Sequence, residues 1–314
     1  MKKKYLFAAL FLLLIITLWR FDLQALLYSL RQFPMWIIGA LILLQIATQL
    51  LVNLQWCQIA KFSKIGISFW EMLRINCGGA VVDSVTPGVK VGGDVARTLQ
   101  IRRATNCSVN QAVALVALQK LFSMSVFLLI CFFSVIRLIG EVPYLHLAIF
   151  VIAGLVLIST VAIYILRHKL REILHILRER IYTLRANPIH CIQLVLLPTL
   201  IWLIYPAKMY FLAVQIHPAA SFIHVGAIAF VAYVIAMLPI FPGGLGGYEV
   251  TMAGLLLVAG FMHTDALVIT VLFRFITFWL VVLLSVAFVA YCRVRQKRLE
   301  NIRKSPEVFE AIRP

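Results

Sequence analysis

The sequence predicts an all-α polytopic membrane protein, and two observations carry that prediction. Hydrophobic residues make up 63% of the 314-residue chain, whereas a soluble domain is nearer half apolar. Apolar runs of roughly 20 residues recur along the chain, which is the length that an α-helix needs to cross a bilayer. We therefore expect one integral membrane domain over 1–314, without a soluble enzymatic domain.

About six segments are predicted as full transmembrane helices, counted by the length rule for a bilayer. They are 5–19, 34–56, 109–139, 145–166, 191–215 and 266–291. Two further segments, 66–103 and 223–261, each consist of two apolar arms around a break rich in proline and glycine. The arms after the breaks have only about 14 residues, too short to span comfortably, which favours re-entrant hairpins over pairs of short crossings.

The positive charge predicts how the chain is oriented. The net charge is +17, and the lysines and arginines lie mainly in segments that flank the apolar runs, as the positive-inside rule describes. A basic loop over 167–190, a basic tail over 293–314 and both termini are therefore expected in the cytoplasm. Because this distribution explains the charge, nucleic acid is not expected as a partner.

Within the basic loop, 168–185 predicts an amphipathic helix. Lysine and arginine fill one face, and such a helix suits the surface of an anionic leaflet. A solvated loop helix fits the same pattern equally well. The apolar face consists of Leu170, Ile173, Leu174, Leu177, Ile181 and Leu184.

The two breaks predict an internal repeat. The only Pro-Gly dipeptides in the chain begin at Pro87 and Pro242, and an acidic residue follows each proline by seven positions, Asp94 and Glu249 respectively. A cation follows within the next helix in both cases, Lys120 in the first and Arg274 in the second. The two units, roughly 34–139 and 191–291, have opposite predicted orientations, as in transporters built from inverted repeats with broken helices.

The composition of the breaks suggests an anion site in each. Proline removes an amide donor, and glycine permits turns that other residues resist. Such a break is tolerated in a membrane only where it is buried in protein or lines a wet cavity. The amide groups at the start of the following half-helix can then bind a phosphate. The residues predicted to do so are Pro87, Gly88, Gly92, Gly93, Pro242, Gly243, Gly244, Gly246 and Gly247.

Ionisable side chains within membrane segments are costly and are by default functional candidates. Two interpretations stay open: structural pairs, such as Asp94 with Lys120 and Glu249 with Arg274, or contacts to a lipid headgroup. The residues selected for a headgroup path are Asp94, Arg97, Lys120, Lys208, Glu249 and Arg274. Asp83 and Lys90 are further intramembrane charges in the first hairpin.

Uncharged polar residues flank the first hairpin. Gln45, Gln49 and Asn53 are spaced by four, so they share one helix face, which could pack against that hairpin. Ser84 and Thr86, just before the break, are expected to hydrogen-bond to backbone freed by it.

The remaining chemistry-bearing residues predict no catalytic or metal site. The six cysteines and seven histidines show no metal-ligand or disulfide spacing. There is no serine elbow and no nucleotide phosphate loop. We expect no catalytic residue, no bound metal and no cofactor.

The break motifs resemble those of the lysylphosphatidylglycerol synthase transmembrane region, also called the flippase-like or UPF0104 family. The first is Thr86-Pro-Gly-x-x-x-Gly-Gly-Asp94-x-x-Arg97, and the second is Pro242-Gly-Gly-Leu-Gly-x-x-Glu249. The resemblance implies a bacterial inner-membrane protein that handles phospholipid. In full-length synthases this membrane part moves aminoacylated lipid outward, and a cytosolic domain transfers lysine from lysyl-tRNA to phosphatidylglycerol. The chain continues for about 20 residues after its last helix, so we expect that domain to be absent.

These observations favour translocation of an aminoacyl-phosphatidylglycerol-like or other anionic phospholipid between leaflets. Two alternatives follow from the resemblance. One is phosphatidylglycerol lysyltransferase activity, associated with cationic-peptide resistance, which would make a tRNA a partner. The other is an accessory role beside a separate lipid-modifying enzyme.

Overall fold

The computed structural model describes residues 33–86, 91–140, 171–186, 188–237 and 246–303. Within these ranges the chain is helical and has no β-strand. The helices, numbered here in chain order, are α1 Met35–Phe62, α2 Phe69–Val85, α3 Val91–Thr105, α4 Val109–Leu138, α5 Arg171–Ala186, α6 Pro188–Ile216, α7 Phe222–Ala236, α8 Gly247–Val258, α9 His263–Arg274 and α10 Leu280–Arg303, with a π-helical turn at Phe275–Trp279 between α9 and α10.

Four stretches in the described part of the chain are long and apolar enough to cross a membrane. They are Met35–Phe62, Val109–Leu138, Cys191–Ile216 and the continuous stretch His263–Gln296. These confirm the predicted spans at 34–56, 109–139, 191–215 and 266–291. The predicted spans at 5–19 and 145–166 lie outside the described residues. The chain is therefore an all-α polytopic membrane protein.

The first predicted hairpin is formed by α2 and α3, which pack closely side by side. The Ser68 hydroxyl caps α2 by accepting from the Glu71 amide. A Cβ atom at Gly79 would lie 2.5 Å from the Arg97 side chain, and one at Gly93 would lie 2.2 Å from Asp83. These pairings run in opposite chain directions, so the arms are antiparallel, and glycine is what allows their close approach.

The second predicted hairpin is formed by α7, which ends at Ala236, and α8, which begins at Gly247. Gly246 has φ +85°, a left-handed conformation that glycine adopts readily. At 1.5 Å per residue, the 12 residues of α8 extend about 18 Å, well short of a hydrocarbon core of about 30 Å. The 15 residues of α3 extend about 22 Å, so neither arm after a break crosses the core alone.

The two hairpins pack against opposite ends of shared long helices. The first hairpin packs with Trp56, near the end of α1, and with Leu115, near the start of α4. The second packs with Leu41, near the start of α1, and with Val135, near the end of α4. The two hairpins therefore lie at opposite ends of common spans, and the inverted repeat itself stays a prediction.

The amphipathic helix forms as α5 and docks on the bundle. It contacts α4 and α6, and Leu177 on its apolar face packs into the cluster around Trp56 and Ile59. Ile181 and Tyr182 stay exposed. The apolar face is therefore partly covered by protein, which neither the leaflet-surface nor the solvated-loop interpretation predicts.

Candidate functional site: two intramembrane charge clusters

Arg97 is the centre of the first charge cluster, which lies between the arms of the first hairpin. Its Nη2 atom is 3.0 Å from Asp83 Oδ2 on α2, and its Nη1 atom is 3.1 Å from Asp94 Oδ1 on α3. The guanidinium also lies over the Trp56 ring, 5.7 Å from its centroid. Arg97 therefore joins both arms of the hairpin to α1.

Asp94 extends this cluster to the next long helix. Its Oδ2 atom lies 2.9 Å from Lys120 Nζ on α4, so one carboxylate is shared by two cations. The four side chains of the cluster, Asp83, Asp94, Arg97 and Lys120, have balanced formal charges. Balanced pairing of this kind offsets the cost of placing charges in a membrane.

The second charge cluster is the pair of Glu249 on α8 and Arg274 on α9. Arg274 Nε is 3.2 Å from Glu249 Oε1, and the guanidinium lies over the rings of Tyr248 and Phe278, at 4.7 and 4.3 Å. The π-helical turn begins at the residue after Arg274. Single π-helical turns within longer helices occur frequently at functional sites.

The two predicted pairings, Asp94 with Lys120 and Glu249 with Arg274, are thus both present. In each, a carboxylate on the second arm of a hairpin pairs with a cation on the long helical stretch that follows. A spacing read from the sequence therefore corresponds to a repeated contact in space.

At the start of each second arm, a carboxylate also accepts a hydrogen bond from a backbone amide. Asp83 Oδ1 accepts from the Gly93 amide at 2.9 Å, and Glu249 Oε2 accepts from the Gly246 amide at 2.6 Å. These amides belong to the predicted phosphate sites. A phosphate could use them only by displacing the chain's own carboxylates.

Four of the predicted break residues lie at or just before the start of a second arm. Gly92 and Gly93 lie in the first turn of α3, Gly246 precedes α8, and Gly247 is its first residue. Pro87, Gly88, Pro242, Gly243 and Gly244 lie outside the described residues. Ser84 and Thr86 donate to the carbonyls of Val81 and Val82. The Val82 carbonyl also accepts from the Thr86 amide, so these hydroxyls bond to backbone of α2 rather than to backbone freed by the break.

Lys208 lies apart from both clusters and is fully buried. Its Nζ atom donates to Gln45 Oε1 and, at 2.9 Å, to Thr48 Oγ1, both on α1. It also lies 4.6 Å from the centroid of the Tyr205 ring. The lysine therefore ties α6 to α1, and Gln45 from the predicted polar stripe serves this contact instead of the first hairpin.

Three tyrosine rings connect Lys208 to the second cluster. The Tyr205 and Tyr233 ring centroids are 5.5 Å apart, and those of Tyr233 and Tyr248 are 5.2 Å apart. Tyr248 in turn lies under Arg274. The sequence does not reveal this chain of rings, because the three tyrosines lie on three helices and share no sequence pattern.

A second polar contact joins α1 to the first hairpin. Asn53 donates to the carbonyl of Phe69 at 3.1 Å and accepts from Asn76 Nδ2 at 2.8 Å. The predicted stripe therefore does pack against this hairpin at Asn53. Asn76 and the pairing of Asp83 with Arg97 were not predicted; each depends on the register of α2 against its neighbours.

The fold and these clusters define a multi-pass α-helical membrane protein in which two short-armed hairpins present intramembrane ion pairs. Residues 4–285 match the family described as the lysylphosphatidylglycerol synthase TM region. The chain belongs to that family, as its motifs predict.

Two relatives have a similar length to this chain. The UPF0104 membrane protein of Pyrococcus horikoshii is 22% identical over 319 aligned residues, covering 90% of this chain and 95% of the relative. A UPF0104 membrane protein of Methanothermobacter thermautotrophicus is 21% identical over 293 residues, covering 82% and 86%. The similarity therefore extends over most of both proteins.

Proposed function

We propose that this protein moves phospholipid between the leaflets of its membrane, with the headgroup passing the two charge clusters and the tails staying in the bilayer. The observation that supports this most strongly is the repeated pairing of Asp94 with Lys120 and Glu249 with Arg274 on hairpins at opposite ends of shared helices. Many transporters build their substrate site from broken helices that meet near the middle of the membrane.

Exposure separates the members of these clusters into two groups. The side chains of Asp94, Lys120 and Glu249 are 19%, 26% and 30% exposed, whereas those of Arg97 and Arg274 are 11% and 5% exposed. A headgroup would meet the first group, and the two arginines would hold the carboxylates in position from beneath. Lys208, which is fully buried, would act on the path only through its positive field or through the tyrosine chain.

The balance of charge in the clusters favours one class of headgroup. A lone phosphate that displaced Glu249 from Arg274 would leave that carboxylate without the cation it pairs with, which is costly away from water. A headgroup with both a phosphate and an amino group can pair with both partners at once. This exchange suits an aminoacyl-phosphatidylglycerol-like lipid, the substrate class that we propose, better than an unmodified anionic lipid.

A leaflet assay tests the proposal. Purified protein would be placed in liposomes with head-labelled lipid, either phosphatidylglycerol or an aminoacylated form, and label reachable by a membrane-impermeant quencher would be followed over time. Glu249→Gln removes the charge of the carboxylate while keeping an oxygen that can accept from the Gly246 amide. We expect faster label exposure with the wild type than in empty liposomes, and loss of that acceleration in Glu249→Gln and Arg274→Ala.

Glu71→Gln is the matched control, because Glu71 also pairs with an arginine, Arg74, but in a pair that is 38–39% exposed. It should move lipid at the wild-type rate. Normal lipid movement in both Glu249→Gln and Arg274→Ala would contradict the proposal. Label exposure no faster than in empty liposomes for both lipids would also count against it.

A separate lipid-modifying enzyme is a further proposed partner, and co-purification would test it.

A further inference from the structure

A cavity of about 280 Å³ lies at the ends of three helices, away from both charge clusters. It is lined by the loop after α1, the loop between α3 and α4, and the amphipathic helix α5, including Lys64, Gln111 and Arg180. It lies on the side that the positive charges predict to be cytoplasmic. Its volume is near the lower limit for ligand pockets, about 300 Å³, so it fits one small polar group.

The backbone on two sides of this cavity is held in an uncommon conformation. Lys64 has φ +58° and Asn106 has φ +53°. The Lys64 amide donates to the Lys61 carbonyl and the Ile65 amide to the Ala60 carbonyl, which closes α1 with a Schellman motif. Glycine is the usual residue at the left-handed position of that motif. A lysine there accepts backbone strain and places a cation at the cavity.

The cavity wall is built by contacts from α5. Arg180 Nη2 donates to the Ser63 carbonyl at 3.2 Å, and Asn110 at the start of α4 bonds to Glu172 on α5. These contacts fix the guanidinium of Arg180 beside the loop that carries Lys64. The Ser63 hydroxyl oxygen is buried and has no hydrogen-bond partner within the described part of the chain. Buried hydroxyls are nearly always paired, so an unpaired one at a cavity indicates a missing partner.

We propose that this cavity binds a phosphate group, with Lys64 and Arg180 supplying the positive charge and the Ser63 hydroxyl donating a hydrogen bond. Two cations and a hydroxyl around a small cavity suit the compact oxygen cluster of a phosphate. Glu179 lines the adjoining smaller cavity, of about 130 Å³, which shares Arg180 with the larger one. The residues that line the larger cavity include two cations and no carboxylate. The phosphate would belong either to a lipid headgroup at the membrane surface or to a small soluble molecule.

Thermal unfolding of the purified full-length protein in a neutral detergent would test this site and identify its source of phosphate. The probes are glycerol phosphate, which is soluble, and a short-chain phosphatidylglycerol, which adds acyl chains to the same group. We expect at least one probe to raise the unfolding midpoint. A shift with only the lipid would assign the site to headgroups, and a shift with both would assign it to the phosphate group itself.

Three variants make the result specific. Lys64→Asn removes the charge at a position where asparagine tolerates positive φ, and Arg180→Gln removes the second charge. Each variant should need at least about tenfold more probe than the wild type for the same rise of the unfolding midpoint. Arg178→Gln changes an arginine on the same helix that does not line the cavity, and its response should match the wild type. Glu249→Gln should also respond normally, because the site is separate from the proposed path.

The proposal is overturned if neither probe shifts the wild-type midpoint, or if Lys64→Asn responds like the wild type. It is also overturned if Arg178→Gln weakens the response as much as Lys64→Asn, which would indicate general charge attraction. A response lost in Glu249→Gln but kept in Lys64→Asn would place the binding in the charge clusters instead.

Discussion

The strength of the contact between Glu249 and Arg274 can be measured with a double-mutant cycle. The variants are Glu249→Gln, Arg274→Met and the pair together. At the observed 3.2 Å, two unit charges in an effective dielectric of about 20 interact by about 5 kcal/mol. Because Glu249 is 30% exposed and also holds the Gly246 amide, we expect a smaller coupling, about 2–4 kcal/mol.

The assay is the free energy of unfolding of each variant in mixed micelles titrated with SDS. Each single substitution should destabilise the protein, and the double variant should cost less than the sum of the two. The matched cycle is Glu71→Gln with Arg74→Met, whose partners are 3.4 Å apart but 38–39% exposed; its coupling should be below about 1 kcal/mol. A coupling at Glu249 and Arg274 no larger than this control would refute the assignment of an ion pair that is partly shielded from water.

Two further stability predictions follow from close packing and from a buried charge. Gly93→Ala should lower the free energy of unfolding by more than about 2 kcal/mol, because its Cβ would lie 2.2 Å from Asp83. The control Gly39→Ala has nothing within 4 Å of the new Cβ and should be neutral or stabilising. Equal effects of the two substitutions would contradict the close approach of α2 and α3. Lys208→Met should lower the free energy of unfolding by about 1–3 kcal/mol, because Gln45 loses its hydrogen-bond donor. Adding Gln45→Leu to this variant should recover most of that loss. A double variant as unstable as Lys208→Met alone would show that Gln45 is not the partner that matters.

The spans and breaks could be predicted because their signals are local. A run of apolar residues has a length that can be compared with the bilayer, and Pro-Gly followed by an acidic residue marks the same feature twice. The pairs Asp94 with Lys120 and Glu249 with Arg274 were accessible for the same reason, since the repeat supplied a spacing. The boundaries of α3 were less accessible, because Gly92 and Gly93 can lie equally well in a turn or in a helix packed closely against a neighbour.

The remaining contacts depend on how apolar helices rotate against one another, which their sequences barely specify. A helix that is apolar on every face gives no periodicity from which to choose a buried side. The pairing of Asp83 with Arg97 therefore needed the register of α2 against α3. The ring contacts that connect Lys208 to Tyr248 form only where three helices meet, and no single segment of the sequence predicts that meeting.

The carboxylates at the hairpins have a consequence for how lipid movement would work. Glu249 binds the Gly246 amide at the start of α8 and the Arg274 guanidinium on α9 together, and the first cluster divides the same tasks between Asp83 and Asp94. A headgroup that takes over the contact to Arg274 or to Lys120 weakens the attachment of a hairpin arm to the long helical stretch that follows it. Under the proposed function, headgroup entry and hairpin movement are therefore coupled through one set of carboxylates. In the first cluster, Arg97 also forms an ion pair between the two arms. This cluster would therefore resist that movement more strongly than the second.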